Sequence, residues 1–228
     1  IAIGKDGANL LEIVKQTRWN PNVVRSPPIH SLTIKQIRGF LYSKNKEREK
    51  FLREAGESIF RPIYNRTSDV RVSFLGCTRH VGRSAVLVRS KESAILMDCG
   101  INPGTNRTVD AYPRFDTGEF DLSRLDAVVI THAHLDHCGF LPYLYKYGYD
   151  GPVYCSAPTA SLMTMLQKDY LDVMNKEGRL PPYGAEDIYK AIIHTIPLNW
   201  GEVTDIAPDV RLTLHNAGHI LGSSMAHL

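Results

Sequence analysis

A group of metal-capable side chains placed directly after a predicted strand constrains this sequence most strongly. Residues 125–130 form a largely apolar run, which predicts a buried strand. Four candidate ligands follow within six positions, in the segment Thr131-His132-Ala133-His134-Leu135-Asp136-His137. Because alternate residues of an extended chain point to the same side, His132 and His134 are able to bind one ion together.

The second half of this segment points to a second ion. Asp136 and His137 lie where the chain turns into a predicted helix, so they diverge towards a neighbouring position. Imidazole and carboxylate ligands with little thiolate favour Zn²⁺, and Cys138 does not fit the pattern. The alternative is a histidine-rich loop that binds no metal. The spacing at the end of a strand favours a metal site.

The bulk composition sets the class of protein. The chain has 228 residues with 43% hydrophobic side chains, enough for one large domain or for a medium and a small one. The net charge of +3 permits an anionic partner without requiring one. No apolar run is long enough to cross a bilayer. The four cysteines include no CxxC pair, which favours a reducing cytoplasm over a disulfide framework; they are Cys77, Cys99, Cys138 and Cys155.

The first third carries a short glycine-bounded loop before a helix. Gly4-Lys5-Asp6-Gly7 precedes an amphipathic pattern that begins near Ala8. Such a loop lets the backbone approach a phosphate, and the helix start offers free N–H groups. The alternative is an ordinary turn. The loop resembles the nucleic-acid clamp of the KH domain, and this resemblance implies that Gly4, Lys5, Asp6 and Gly7 contact RNA backbone.

Proline residues and mixed charges indicate the segment that connects the first domain to the second. A strand-like Val23-Val24 and a stop at Pro27-Pro28 precede a second predicted helix from Ser31. Residues 44–61 interleave both charge signs, which favours a solvated connecting helix over an RNA-binding face. Its predicted apolar seam is Leu52, Ile59 and Phe60. We therefore predict a first domain over 1–65 and a second over 66–228.

The second domain reads as an α/β sandwich. Three strands in quick succession predict a hairpin or meander, and the third ends at Asp98. The predicted strands cover residues 70–76, 84–88, 94–97, 125–130, 152–156, 195–198, 202–206 and 210–214. The predicted helices cover 138–147, 159–174 and 185–193. This order places ligand-bearing loops at the ends of a sheet.

These motifs resemble a known family. The His-x-His-x-Asp-His segment is similar to the second signature of the metallo-β-lactamase superfamily, Asp98 to its first, and His219 in Ala217-Gly218-His219-Ile220-Leu221-Gly222-Ser223 to its third. Together with Val81-Gly82-Arg83-Ser84, they resemble the β-CASP ribonucleases related to the cleavage and polyadenylation specificity factor. The first segment resembles the C-terminal part of a small α+β KH domain, an arrangement found in archaeal members.

The resemblance implies a fold and roles for particular residues. It implies a partial αββα metallo-β-lactamase sandwich after the KH segment. His132, His134 and His219 would hold one zinc, and Asp136 and His137 the second. Asp98 would orient the histidine loop. Asp136, beside the attacking water, would accept its proton.

The implied activity is zinc-dependent hydrolysis of RNA phosphodiester bonds, by endonucleolytic and 5′–3′ exonucleolytic cleavage, in RNA 3′-end formation or transcription termination. The implied partners are RNA, RNA polymerase and a second copy of the chain. The family's bridging Asp and last His fall outside this sequence, so we expect a fragment that binds metal poorly and does not cut RNA alone. Two alternatives remain: a small-molecule hydrolase such as a thioester or lactam hydrolase, and an inactive RNA-binding scaffold.

The other histidines lie outside any ligand spacing. His30, His194 and His227 are predicted to be structural or solvent-facing, and His215 to point away from the metal. His80 stands where relatives often have Glu, a departure whose effect the sequence does not give.

Overall fold

The computed structural model describes residues 3–21, 23, 31–64, 69–105 and 107–228. The chain divides into two compact units, Ile1–Lys35 and Gln36–Leu228. The predicted domain boundary after residue 65 falls among residues 65–68, which lie outside the described residues. The predicted boundary therefore stays a prediction. The division between the two compact units lies thirty residues earlier, after Lys35.

The first unit contains the glycine-bounded loop and the helix that follows it. A 3-10 turn at Lys5–Gly7 leads directly into α1, Ala8–Thr17, so the predicted helix is confirmed. Gly4 and Gly7 have φ angles of 75° and 79°, which L side chains rarely adopt. Asp6 has a φ of 55°. Of the predicted strand and stop at 23–28, Val24, Pro27 and Pro28 lie outside the described residues.

Among the described residues, the second unit contains seven α-helices, the first of them only in part, one 3-10 turn and nine strands. The helices are α2 Leu32–Ser43, which begins in the first unit, α3 Asn45–Ile59, α4 Thr108–Ala111, α5 Leu135–Cys138, α6 Leu141–Lys146, α7 Ala157–Lys176 and α8 Ala185–His194, with a 3-10 turn at Leu122–Arg124. The strands are β1 Arg71–Phe74, β2 Val86–Arg89, β3 Ala94–Met97, β4 Ala127–Val129, β5 Val153–Ser156, β6 Thr195–Leu198, β7 Val203–Ala207, β8 Val210–Asn216 and β9 Ser224–His227.

Two sheets face each other in this unit. The first has the order β1-β2-β3-β4-β5-β6, and the second the order β7-β8-β9. β1 to β3 form the predicted antiparallel meander, whereas β3 to β6 are parallel. Parallel strands end at the same edge of a sheet, so the residues after β3, β4 and β5 meet there. Those residues include Asp98 and the histidine segment, and Ser156, the last residue of β5, lies at the same edge.

The core forms two layers, one on each face of the first sheet. On one face, Leu96, Val128 and Val153 pack with helical residues such as Leu141 and Met163. On the other, Ile95, Val129 and Tyr154 pack against Ile206 and Leu212 of the second sheet. This arrangement gives the helix–sheet–sheet order of an αββα sandwich, and the α/β prediction is confirmed.

The charged helix α3 packs differently from the prediction. Its buried residues are Phe51 and Ala55, while Leu52 and Phe60 are 42% and 77% exposed. The Arg48 guanidinium donates to the carbonyls of Ile193 and Thr195 at the end of α8. The predicted apolar seam was therefore wrong. The face of α3 that is buried is the one that packs against α8, and the weak apolar pattern of α3 did not indicate it.

Candidate metal centre

Three histidines converge at the carboxyl edge of the parallel strands. One nitrogen from each of His132, His134 and His219 lies within 4.8 Å of the others. His134 Nδ1 and His219 Nε2 are 3.3 Å apart. At tetrahedral zinc with Zn–N bonds of about 2.0–2.1 Å, two nitrogen ligands lie roughly 3.3 Å apart. The His134 and His219 nitrogens therefore have the separation expected at one zinc ion, and a nitrogen of His132 lies within 4.8 Å of both.

His132 supplies a neutral imidazole to this group. Its side chain is almost fully buried, and burial together with the neighbouring His137 lowers the pKa of His132 to about 4. Metal ligation requires the unprotonated ring nitrogen. The ring lies 4.9 Å from that of His134 and 5.0 Å from that of His219, edge to face in both cases. His132 thus offers a lone pair at neutral pH.

Asp136 and His137 lie beside the three histidines rather than among them. The His137 ring centroid is 4.0 Å from that of His132. His137 Nε2 is 3.6 Å from a carboxylate oxygen of Asp136. The two residues lie in the short helix α5, so their backbone turns away from the extended His132–His134 segment. This pair is adjacent to the three histidines.

Asp98 ties the histidine segment to the end of β3. Its carboxylate accepts hydrogen bonds from the Thr131 backbone N–H at 2.8 Å and from His137 Nδ1 at 2.7 Å. Because Nδ1 of His137 is occupied, Nε2 is left to face Asp136. Burial lowers the pKa of His137, but the hydrogen bond and charge of Asp98, with the charge of Asp136, raise it overall.

His219 is held by a turn that depends on two serines. The buried Ser223 hydroxyl accepts hydrogen bonds from the backbone N–H groups of His219 and Ile220 at 3.0 and 3.1 Å. The Gly222 carbonyl accepts from Ser156 Oγ at 2.6 Å. The turn that carries the third histidine is therefore fastened to the start of α7.

The thiols take no part in the group. Burial raises the pKa of the Cys138 thiol well above its usual value, and that of Cys155 to about 12. Cys138 Sγ donates to the Ala133 carbonyl at 3.1 Å. Neutral buried thiols are poor metal ligands.

The remaining histidines lie elsewhere. His194 packs its ring against Phe51 and Tyr145, and His215 and His227 are exposed with ring centroids 6.1 Å apart. His80 Nε2 accepts a hydrogen bond from Arg83 Nε at 3.1 Å. His30 lies outside the described residues.

Sequence reasoning missed the residues that position the ligands. Thr131 hydrogen-bonds both Asp98 and His132, and Ser84, Ser156 and Ser223 bond the neighbouring backbone or carboxylate. Their contacts join segments far apart in the chain. Only the position of Thr131, next to the first histidine, gave a local signal.

The chain is similar to known proteins over its whole length. The family model of the "Metallo-beta-lactamase superfamily" matches residues 78–225. The chain is 53% identical over 229 residues to "Transcription termination factor FttA" of Methanocaldococcus jannaschii. It is 52% identical over 229 residues to the protein of that name from Methanothermobacter thermautotrophicus, and 49% over 234 residues to that from Pyrococcus horikoshii. It spans 36% of the length of each of these relatives.

A solved structure is also similar. MEM-A1, a subclass B3 metallo-beta-lactamase isolated from a soil metagenome library, matches 68% of this chain and 53% of its own. The sequence identity is 23% and the TM-score 0.47. Among the described residues, no helix combines the length and the apolar character that a membrane crossing needs.

Proposed function

Because this chain belongs to the metallo-beta-lactamase superfamily, we propose that it is part of a zinc-dependent ribonuclease that acts in RNA 3′-end formation and transcription termination. The observation that carries the proposal is the convergence of His132, His134 and His219, with Asp136 and His137 beside them. The superfamily and this donor set indicate a metal-dependent hydrolase. The relatives' name, transcription termination factor, supports RNA and RNA polymerase as partners, with action in the cytoplasm.

The residues divide into two proposed ligand groups. His132, His134 and His219 would hold one Zn²⁺, and Asp136 and His137 the second. Zinc there would make water nucleophilic at neutral pH and neutralise charge that develops on the phosphate. The Asp98 carboxylate is occupied by Thr131 and His137, whereas that of Asp136 lies beside the ligand nitrogen of His137, so we assign Asp136 as acceptor of the water's proton. Asp98 holds Thr131 and His137 in place.

The loop in the first unit is the proposed RNA contact. Lys5 and Asp6 are exposed, and the positive φ angles of Gly4 and Gly7 shape a tight turn at the start of α1. An exposed lysine next to a helix N-terminus favours a phosphate. This geometry supports the proposal that residues 1–65 are the end of a KH domain that grips RNA backbone. A homodimer is proposed as the assembly, through parts of the protein beyond this sequence.

The test is cleavage of a 5′-labelled single-stranded RNA by the full-length protein. We expect His132→Ala with His134→Ala to reduce cleavage to background, because two nitrogens of the first ligand group are lost. The matched control, His215→Ala with His227→Ala, removes two exposed histidines and should cleave normally. Undiminished cleavage by the first variant would overturn the mechanism. Turnover of a thioester or lactam in place of RNA would support the small-molecule alternative.

The same RNA serves to test the loop. Lys5→Ala with Asp6→Ala should weaken RNA binding several-fold, measured by fluorescence anisotropy, without changing zinc content. An unchanged RNA affinity would count against the KH proposal alone.

A further inference from the structure

Thr131 joins three segments of the candidate metal centre. Its backbone N–H donates to Asp98 Oδ1 at 2.8 Å, and its carbonyl accepts from the Ser224 N–H at 2.9 Å. Ser224 directly follows the turn that carries His219. The backbone of Thr131 is therefore fixed on both sides by hydrogen bonds.

The Thr131 hydroxyl lies between a carboxylate and an imidazole. Oγ1 is 2.9 and 3.1 Å from the two carboxylate oxygens of Asp98 and 3.0 Å from His132 Nδ1. A carboxylate oxygen only accepts, whereas a hydroxyl donates one hydrogen and accepts through its lone pairs. The single hydrogen must point to Asp98, because the opposite choice places two lone-pair oxygens in contact with no hydrogen between them.

The direction of that hydrogen fixes the imidazole. Once Oγ1–H donates to Asp98, a lone pair of Oγ1 faces His132, and Nδ1 of His132 must carry a proton to complete the bond. Nε2 is then bare. It is the nitrogen left to face His134 and His219, which lie within ligand distance. Free histidine in water prefers the opposite tautomer, with its proton on Nε2.

We propose that Thr131 is a positioning residue whose hydroxyl holds His132 as the Nδ1–H tautomer and so presents Nε2 to the metal. The role as a metal ligand rests on the proposed function, whereas the tautomer is a property of the metal-free protein. Asp98 is linked to His132 by hydrogen bonds through this hydroxyl, and it bonds His137 directly. One carboxylate thus orients an imidazole in each ligand group, once through threonine and once without it.

The experiment compares three threonine variants. Thr131→Val keeps the shape and removes the hydroxyl, and Thr131→Ser restores the hydroxyl without the methyl group. Thr204→Val is the matched control, because Thr204 Oγ1 is buried and has no hydrogen-bond partner among the described residues. Long-range ¹H–¹⁵N correlation spectra of ¹⁵N-histidine-labelled, metal-free protein report the tautomer. Competition with a chromophoric chelator reports zinc affinity.

The wild type, Thr131→Ser and Thr204→Val should show His132 protonated on Nδ1. Thr131→Val should shift His132 towards Nε2–H and weaken zinc binding by about 10–100-fold, the usual loss when the partner that orients a ligand is removed. A folded Thr131→Val protein that keeps the Nδ1–H tautomer, or a wild type with Nε2–H, overturns the inference. Failure of RNA cleavage with the expected tautomers would reject only the proposed ribonuclease function.

Discussion

Asp98 adopts an unfavourable backbone conformation, and the hydrogen bonds that its carboxylate accepts offset the cost. Its φ of 60° places a non-glycine residue in the left-handed region, at a cost of roughly 1–2 kcal/mol. The side chain is 6% exposed and accepts from Thr131 N–H, Thr131 Oγ1 and His137 Nδ1. Each hydrogen bond to a charged group contributes about 1.5–3 kcal/mol. Three such bonds outweigh the backbone cost.

His194 should make stability depend on pH. Its ring packs 4.3 Å from Phe51 and 5.0 Å from Tyr145, and Nδ1 donates to the Lys190 carbonyl. Burial, with a smaller contribution from the charge of Arg48, lowers the pKa of His194, although the Lys190 carbonyl, Asp150 and Glu47 oppose this. The unfolded chain, with a pKa of about 6.5, therefore binds a proton more readily than the folded one.

The sign of this effect follows from linkage. The neutral His194 contributes its full share to the free energy of unfolding above pH about 6.5. This share is lost as the pH falls towards the lowered pKa of His194 in the folded state. We expect the free energy of unfolding, measured in urea, to fall between pH 7.5 and 5.5, and to fall less in His194→Leu. His215→Leu, at an exposed histidine, should keep the wild-type slope. Equal slopes in all three proteins would contradict the prediction.

Four of the candidate ligands stand out in the sequence, but the residues that hold them in place do not. His132, His134, Asp136 and His137 share a short segment whose spacing alone indicates a metal. His219 came only from a resemblance, because no local pattern marks a single histidine 82 residues after His137. Ser223 and Ser156 look like ordinary polar residues until tertiary structure supplies their partners.

At the scale of elements, α5 is joined to the segment after β3 by backbone hydrogen bonds as well as by the Asp98–His137 side-chain contact. The Cys99 N–H donates to the His137 carbonyl at 2.7 Å, and the Ile101 N–H to the Leu135 carbonyl at 2.9 Å. The Ser84 N–H donates to the Asp136 carbonyl at 2.8 Å. A helix of four residues is too short to be stable by itself. These hydrogen bonds, rather than helical propensity, hold Asp136 and His137 in position.

Gly100→Ala should disturb this junction. A Cβ atom at Gly100 would lie 1.7 Å from the Asp136 carbonyl oxygen, so backbone must move. Overpacking of this kind costs about 1–3 kcal/mol or more. We expect urea unfolding to show that loss, together with weaker zinc binding. The matched control is Gly118→Ala, where a Cβ meets nothing within 4 Å. Equal stability and zinc affinity in the two variants would reject this account of the junction.

Regular elements were predicted best where the pattern was long or strongly apolar. The strands at 94–97 and 195–198 agree with the structure, as does the helix at 185–193 within one residue. The predicted helix at 138–147 is instead α5 and α6, with a break around Gly139. A Cβ at Gly139 would lie 2.5 Å from the Leu135 carbonyl oxygen. The spacing of apolar residues in the sequence does not reveal such close contacts between backbone segments.

At the scale of the whole molecule, the two sheets are unequal. Six strands face three. The cross-strand rows Val72–Val88–Ile95 and Phe74–Val86–Met97 lie on the face that meets the second sheet. Their β3 members pack against that sheet, whereas Val72 and Phe74 on β1 are 50% and 62% exposed. The apolar face therefore extends beyond its cover to an edge strand that, among the described residues, pairs only with β2.

An exposed apolar stripe on a free edge strand should make this chain self-associate. Unpaired N–H and C=O groups template further strand pairing, and the apolar row adds a favourable contact area. Light scattering after size-exclusion chromatography should show that Phe74→Thr lowers the associated fraction at tens of micromolar, because threonine keeps strand propensity but removes the aromatic surface. Phe60→Thr is the matched control, since Phe60 is 77% exposed but lies at the end of α3, outside the sheet. A monomeric wild type, or equal association in both variants, would show that the exposed edge strand β1 does not mediate self-association.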